Sequence, residues 1–365
     1  MNLELSVLLV FPTAFTDDQA LANVIQRSST RIKSVKFEDK CLVCEGSNVV
    51  ELGSKLAKTF GVERVAIAKK VSNNFSDLSD AIVHFASTTI SPRDNFFVKV
   101  IILPGARCDY VSRDLEFAAS GILSARLASI NATPARSEKE ASRLLLTVVG
   151  DEAAYICLQI VAGLGGLISG SHGSVLGSVH SSLSVLSTLV AAKAGFECSS
   201  LALPYSDGNE LEINAKFAHL FATRTGRKKQ TILAIPIELP LKGPPSILIK
   251  EKIISKILMQ LSDHRVIFGF TTAVHPIWFI ESVIREAFLV GKVPLTPLIC
   301  VSDELSKFAE EAGIALDITI ASASESMLQR YSDAIYYEVK SAIKHTKRLQ
   351  LEVGPNYLHD IIDSV

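Results

Sequence analysis

Downstream of Ser174 the chain alternates short runs of Val, Ile, Leu and Ala with longer amphipathic segments, and this alternation limits the fold more than any other feature. The apolar runs are "SVLGSV", "ECSSLALP", "QTILAIPIE", "RVIFGFT" and "TPLICV". The amphipathic ones are "LSVLSTLVAAKA", "NELEINAKFAHLFATRT", "SILIKEKIISKILMQLS", "PIWFIESVIREAFLV" and "DELSKFAEEAG". Strands that are apolar throughout need cover on both faces, which a parallel sheet obtains from its crossover helices. The pattern predicts a doubly wound α/β domain over residues 170–365. Its ligand crevice is expected beyond the C-terminal ends of the strands. "ESMLQRYSDAIYYEVKSAIKHTKRLQLE" reads as one long final helix.

The upstream half follows a different order. "LELSVLLVF" reads as a strand, "DDQALANVIQRSSTRI" as a helix and "SVKFEDKCLVCEG" as a strand pair or a strand and turn. "NVVELGSKLAKTF" is a second helix with Leu52, Leu56 and Phe60 on one face, and "VERVAIAKKV" is a strand. That succession predicts an α+β sandwich of the ferredoxin type over residues 1–72. A second unit, 73–164, repeats the theme: helix "DLSDAIVHFAST", strand "NFFVKVIIL", helix "SRDLEFAASGILSARL" and a closing antiparallel pair, "RLLLTVVG" with "EAAYICLQIV". The linker "AGLGGLISGSHG" follows.

The charge balance narrows the partners. The 37 basic and 38 acidic side chains leave a formal charge of −1, so affinity for nucleic acid has to come from a local patch. "MNLELSVLLVFPTAF" has neither a basic leader nor a small-residue cleavage site, and apolar runs are too short to cross a bilayer, so a cytoplasmic protein with no membrane contact is expected. Six cysteines are scattered along the chain. Cys41 and Cys44 form a CxxC without a second pair or histidines to complete a zinc set, so buried, reduced thiols and no metal are expected.

"GSVHSSLS", Gly177 to Ser184, occupies the strand-to-helix turn where many α/β enzymes hold phosphate. Taken in order with "LGSKLAKTFGVERVAIAKKV", "FFVKVIIL", "GARCDYVSRDLEFAASGIL", "GGLISGSHGSVL" and "TPLICVSDELSKFAEEAGI", it gives a chain that resembles the tRNA 4-thiouridine synthetases, the tRNA sulfurtransferases of thiamine biosynthesis. The resemblance implies a ferredoxin-like domain over 1–72, an RNA-binding THUMP domain over 73–164, and a PP-loop ATP-pyrophosphatase domain, an adenine nucleotide alpha hydrolase-like fold, over 170–365 with its C-terminal helix. It also implies tRNA as partner.

The family's loop reads Ser-Gly-Gly-x-Asp-Ser, with glycines that let backbone N–H groups approach phosphate ahead of a helix N-terminus. With one residue deleted, the present chain offers Val179, His180, Ser181, Ser182, Leu183 and Ser184. Side chains replace both glycines, and Leu183 stands in place of the acid. His180, Ser181, Ser182 and Ser184 are therefore a degenerate nucleotide loop. The sulfur-accepting cysteine is missing from "DITIASASESM", and Cys300 falls within an apolar run as a core residue. No catalytic residue and no cofactor are assigned.

The RNA-binding candidates carried over from the THUMP resemblance are Lys99, Arg107, Arg113 and Arg126. Lys69 with Lys70, "RTGRKK" (Arg224 to Lys229), and a helical stripe of Lys340, Lys344, Lys347 and Arg348 add basic clusters. The turn after the first strand, "FPTAFTDDQ", is acidic where the family has a basic one.

The expected function is tRNA binding without ATP-pyrophosphatase or sulfurtransferase activity, as partner of an active tRNA-modifying enzyme; a homodimer is compatible with the sequence. Two alternatives stand beside it. One is an active tRNA-thiolating or tRNA-modifying enzyme using ATP and Mg²⁺ in an altered loop with an external sulfur carrier. The other is a purely structural interaction protein.

Overall fold

The computed structural model describes the chain apart from residues 1–5, 15, 29–30, 226–228, 240–244, 300–302, 318–319 and 321–323. Cys300 thus lies outside the described residues, as do parts of "RTGRKK" and "DITIASASESM". The chain divides into two compact units, Met1–Gly165 and Gly166–Val365.

The first unit runs β1 (Ser6–Pro12), α1 (Asp18–Ser28), β2 (Ile32–Glu38), β3 (Cys41–Gly46), α2 (Val49–Leu56), β4 (Val62–Val71), α3 (Phe75–Thr89), β5 (Asn95–Ile102), α4 (Ser112–Leu127), β6 (Thr133–Pro134), β7 (Arg143–Val149) and β8 (Ala154–Ala162). All eight strands belong to one sheet, in the order β2-β3-β1-β4-β8-β7-β5-β6. The first four strands have the ferredoxin-like order. β4 pairs with β1 along one edge and with β8 along the other, antiparallel in both cases, so the segments before and after residue 72 share a continuous ladder.

Period-two alternation decides which side chains meet. Val7 and Leu9, Cys41 and Val43, Ala66 and Ala68, Leu146 and Val148, and Tyr155 and Cys157 form one buried cluster. Phe96, Val98, Val100 and Leu145 belong to another, in which Leu78, Ile82 and Ala86 of α3 and Leu115, Ala119 and Leu123 of α4 pack at helical spacing. Cys41 and Cys44 are free and buried, and burial pushes both thiols up to about 12. Neither can serve as a thiolate at neutral pH.

The second unit runs β9 (Ser174–Ser178), α5 (Ser182–Lys193), β10 (Glu197–Tyr205), α6 (Gly208–Arg224), β11 (Lys229–Pro236), α7 (Pro245–Leu261), β12 (Arg265–Ile267), α8 (Ile277–Leu289), β13 (Val293–Leu295), α9 (Asp303–Ala312), α10 (Glu325–Arg330), α11 (Ser332–Lys344), β14 (Lys347–Glu352) and α12 (Tyr357–Ser364). The sheet order is β13-β12-β9-β10-β11-β14, parallel except for β14, which runs antiparallel to β11. From β9 the chain winds outward through β10 to β11, then crosses back to β12 on the other side. The topological switch point lies between β9 and β12.

Two expectations are corrected. The long final helix breaks into α10, α11 and β14, because "KRLQLE" alternates polar residues with the half-buried Leu349 and Leu351 and so completes a sheet edge. The supposed stripe of Lys340, Lys344, Lys347 and Arg348 is therefore divided, the first pair on α11 and the second on β14. The outer parallel strand is Val293–Leu295, upstream of the "TPLICV" run expected to form it. Among the described residues no helix is long and apolar enough to cross a membrane.

Candidate functional site

The switch point brings the degenerate loop together with the segment after β12. Gly177, near the end of β9, is required by close packing: a Cβ there would lie 2.5 Å from Thr188 Cγ2 on α5. The chain then passes through Val179 and His180 to Ser181, the N-cap of α5. Ser181 Oγ accepts the Ser184 N–H at 3.1 Å, and Ser184 Oγ accepts the Ser181 N–H at 2.9 Å. This reciprocal pair satisfies two donors of the kind that helix N-termini otherwise offer to anions. Ser182 Oγ accepts the Asp317 N–H at 3.0 Å. Ser182 and Ser184 are buried.

A second chain segment covers this turn. Gly269 lies two residues beyond β12, and a Cβ on it would stand 2.8 Å from both Cα and N of Ser184 and 3.0 Å from the Leu183 carbonyl carbon. Backbone rests on backbone there, which only glycine allows. Ser187 Oγ donates to the Phe268 carbonyl at 2.9 Å, and Phe268 and Phe270 are fully buried on either side of the glycine.

His180 projects from the loop into a polar cluster. Its Nδ1 is 2.7 Å from Ser178 Oγ, and its Nε2 is 3.1 and 3.2 Å from the two carboxylate oxygens of Glu251 on α7. Burial alone would push Glu251 up, but the charge and hydrogen bond of His180, with His275 and Lys250 beyond, hold it below the usual carboxylate range. Lys250 is itself ion-paired with Glu210. His275 is buried between Phe270 and Phe279, and burial pushes its imidazole below the ordinary histidine value.

Serine, imidazole and carboxylate in series have the composition of a nucleophilic relay. Exposure decides against that use. Ser178 is 2% exposed and the His180 side chain 5%, so the hydroxyl does not face solvent from which a substrate could come. The series ties the loop to α7. Among the described residues no group of three His, Cys, Asp or Glu side chains could hold a metal ion.

The four basic candidates in the first unit do not converge. Lys99, on β5, is ion-paired with Glu138. Arg107 is 92% exposed in the loop before α4, with its Nε 3.8 Å from Asp151. Arg113 and Arg126 are exposed in the first and last turns of α4. The 13 residue steps from one to the other correspond to about 20 Å along the axis and about 140° around it. Phe117 is 83% exposed one helical turn after Arg113, so an arginine and an aromatic ring share a face. The i, i+4 spacing was the available signal. Glu251 and Gly269 carry no such local signal, because their roles depend on contacts distant in sequence.

No protein-family model matches the chain, and no curated protein does. Solved structures match it over most of its length. A 4-thiouridine synthetase crystallised with RNA and bound ATP superposes with a TM-score of 0.70 at 14% identity, covering 96% of this chain and 100% of that one. PH1313 from Pyrococcus horikoshii superposes with a TM-score of 0.61 at 17% identity, covering 84% of this chain and 99% of that one. At these identities the likeness is one of fold.

Proposed function

We propose that the chain is a tRNA-binding protein built on the 4-thiouridine synthetase architecture, whose second unit has kept the fold and given up ATP chemistry. The observation that carries this reading is the closed N-terminal turn of α5. Ser181 and Ser184 satisfy each other's N–H groups, Gly269 lies against the turn, and the His180–Glu251 pair fills the neighbouring space with a carboxylate. These residues do not fit a triphosphate with magnesium: the Ser181 and Ser184 N–H groups are taken by each other's hydroxyls, and the Glu251 carboxylate stands beside the turn. The buried thiols described in the first unit supply no sulfur-relay nucleophile either.

The RNA half of the reading draws on the fold shared with the RNA-bound synthetase and on two exposed features of the first unit, Arg107 and the Arg113–Phe117 face. Guanidinium groups would neutralise phosphates, and an exposed ring offers a platform for an unpaired base. Residues 73–164 act in this reading as the RNA-binding module beside the ferredoxin-like 1–72, and the protein serves an active modifying enzyme as partner in the cytoplasm.

Calorimetry with ATP–Mg²⁺ and gel shifts with tRNA across a salt series test both halves. No heat at micromolar ATP is expected, together with tRNA binding that weakens as salt rises and on replacing Arg107 and Arg113, or Phe117, by Ala. Micromolar ATP affinity would overturn the first half, and tRNA binding indifferent to salt the second.

A further inference from the structure

Away from the loop, the second unit holds a cavity of about 870 Å³ between α7, α8 and the α10–α11 pair. That volume lies within the roughly 300–1,000 Å³ of small-molecule sites. Met259, Trp278, Leu328, Ile335 and Val339 give it apolar walls.

Four of its polar side chains, Lys252, Lys256, Ser282 and Glu286, form one cluster. Lys252 Nζ lies 2.6 Å from Glu286 Oε1 and 3.1 Å from Ser282 Oγ, with the lysine side chain only 7% exposed. Lys256 Nζ lies 3.1 Å from the other oxygen of the same carboxylate. One glutamate is thus shared by two ammonium groups. Lys292 and Glu325, also in the lining, add one charge of each sign and leave the positive excess in place. Burial already pushes Lys252 below the usual lysine value, as expected of an ammonium with half a counter-ion. An entering anion would supply the missing half, and the walls beside it would take an apolar body.

We propose that this cavity binds an amphipathic monoanion, a carboxylate on an acyl or aromatic body, with its head group at Lys252 and Lys256 and its body against Trp278 and Ile335. The proposal is independent of the RNA and nucleotide readings.

Trp278 is the sole tryptophan of the chain, so its emission reports on the cavity. The full-length protein is titrated with dodecanoate and, separately, with dodecanol, which has the same chain and no charge, both below their aggregation limits. The expected result is saturable quenching or shift with one dodecanoate per chain, bound about tenfold more tightly than dodecanol, the scale of one charge-assisted contact. Lys252→Met should abolish that preference. Lys256→Gln, at a more exposed position, should reduce it several-fold in a protein whose circular dichroism is unaltered. No saturable response, equal binding of acid and alcohol, or preference surviving in the folded Lys256→Gln variant would overturn the proposal. So would sedimentation showing that a second copy of the chain covers Trp278 and excludes both probes.

Discussion

Replacing His180 by Ala removes both contacts that hold the Glu251 carboxylate and opens a void beneath the loop. Taking the hydrogen-bond partner from a buried charged group costs up to about 3–5 kcal/mol, because the group loses its solvation without replacement. Glu251 keeps 14% of its side chain exposed, so water recovers part of its hydration and the loss belongs at the lower end, about 3 kcal/mol. The unit spans Gly166–Val365, about 200 residues, a size for which 1 kcal/mol shifts the melting temperature by roughly 2–4 °C. The expected drop is then about 6–12 °C. Denaturant titration followed by Trp278 emission reads this unit directly. Replacing both partners by Leu should restore most of the lost stability, since an apolar pair of similar volume carries no desolvation cost. A loss under about 1 kcal/mol, or a gain, would refute the reasoning; a gain would mark the pair as a strained working site that trades stability for activity.

Gly269→Ala should cost about 1–3 kcal/mol, as for overpacking elsewhere, read in the same unfolding assay, because the new methyl meets the backbone of Ser184 and not a movable side chain. Stability of the second unit should fall with acid in two stages. His275 and Glu251 both have depressed values, so each contributes above its ordinary value, 6.5 and 4.5 respectively, and the contribution is lost as pH falls toward the folded one. His275→Gln should flatten the upper stage in melts taken between about pH 7 and 5. Combining His180→Gly, Ser181→Gly and Leu183→Asp, which rebuilds the family's loop by residue type, should leave ATP–Mg²⁺ binding undetectable by calorimetry.

The strands and helices were legible wherever one period dominated, and the failures have physical causes. "KRLQLE" carries the strand period but follows α11 after only two residues, so helical spacing of its lysines concealed the alternation of Leu349 and Leu351. The serine cap could be read from "HSSLS", because the residues that satisfy one another are three apart. Glu251 could not, being 71 residues from His180 in the chain. Nor could the need for glycine at 269, which arises from the approach of a segment 85 residues beyond Ser184 and leaves no local pattern. Residue type alone marks the basic candidates, whereas their grouping depends on the phase of α4, which sets Arg113 beside Phe117 and turns Arg126 away.

The closed turn also accounts for why residue identity at the loop alone would not recover phosphate binding. A helix N-terminus attracts an anion through unsatisfied N–H groups and the dipole they end. Glycines at 180 and 181 would free donors, but removing His180 would also take away the charge and hydrogen bond that stabilise the Glu251 carboxylate. The nearest enclosed group would then be either an unpaired anion facing an incoming phosphate or a protonated acid stabilised at the expense of the fold. Neither state offers the positive surroundings a triphosphate requires, and Gly269 would still lie against the first turn of α5. Loss of the loop glycines, gain of the buried carboxylate and approach of the segment after β12 act on one space, so reversing any one of them leaves the other two opposed to the ligand.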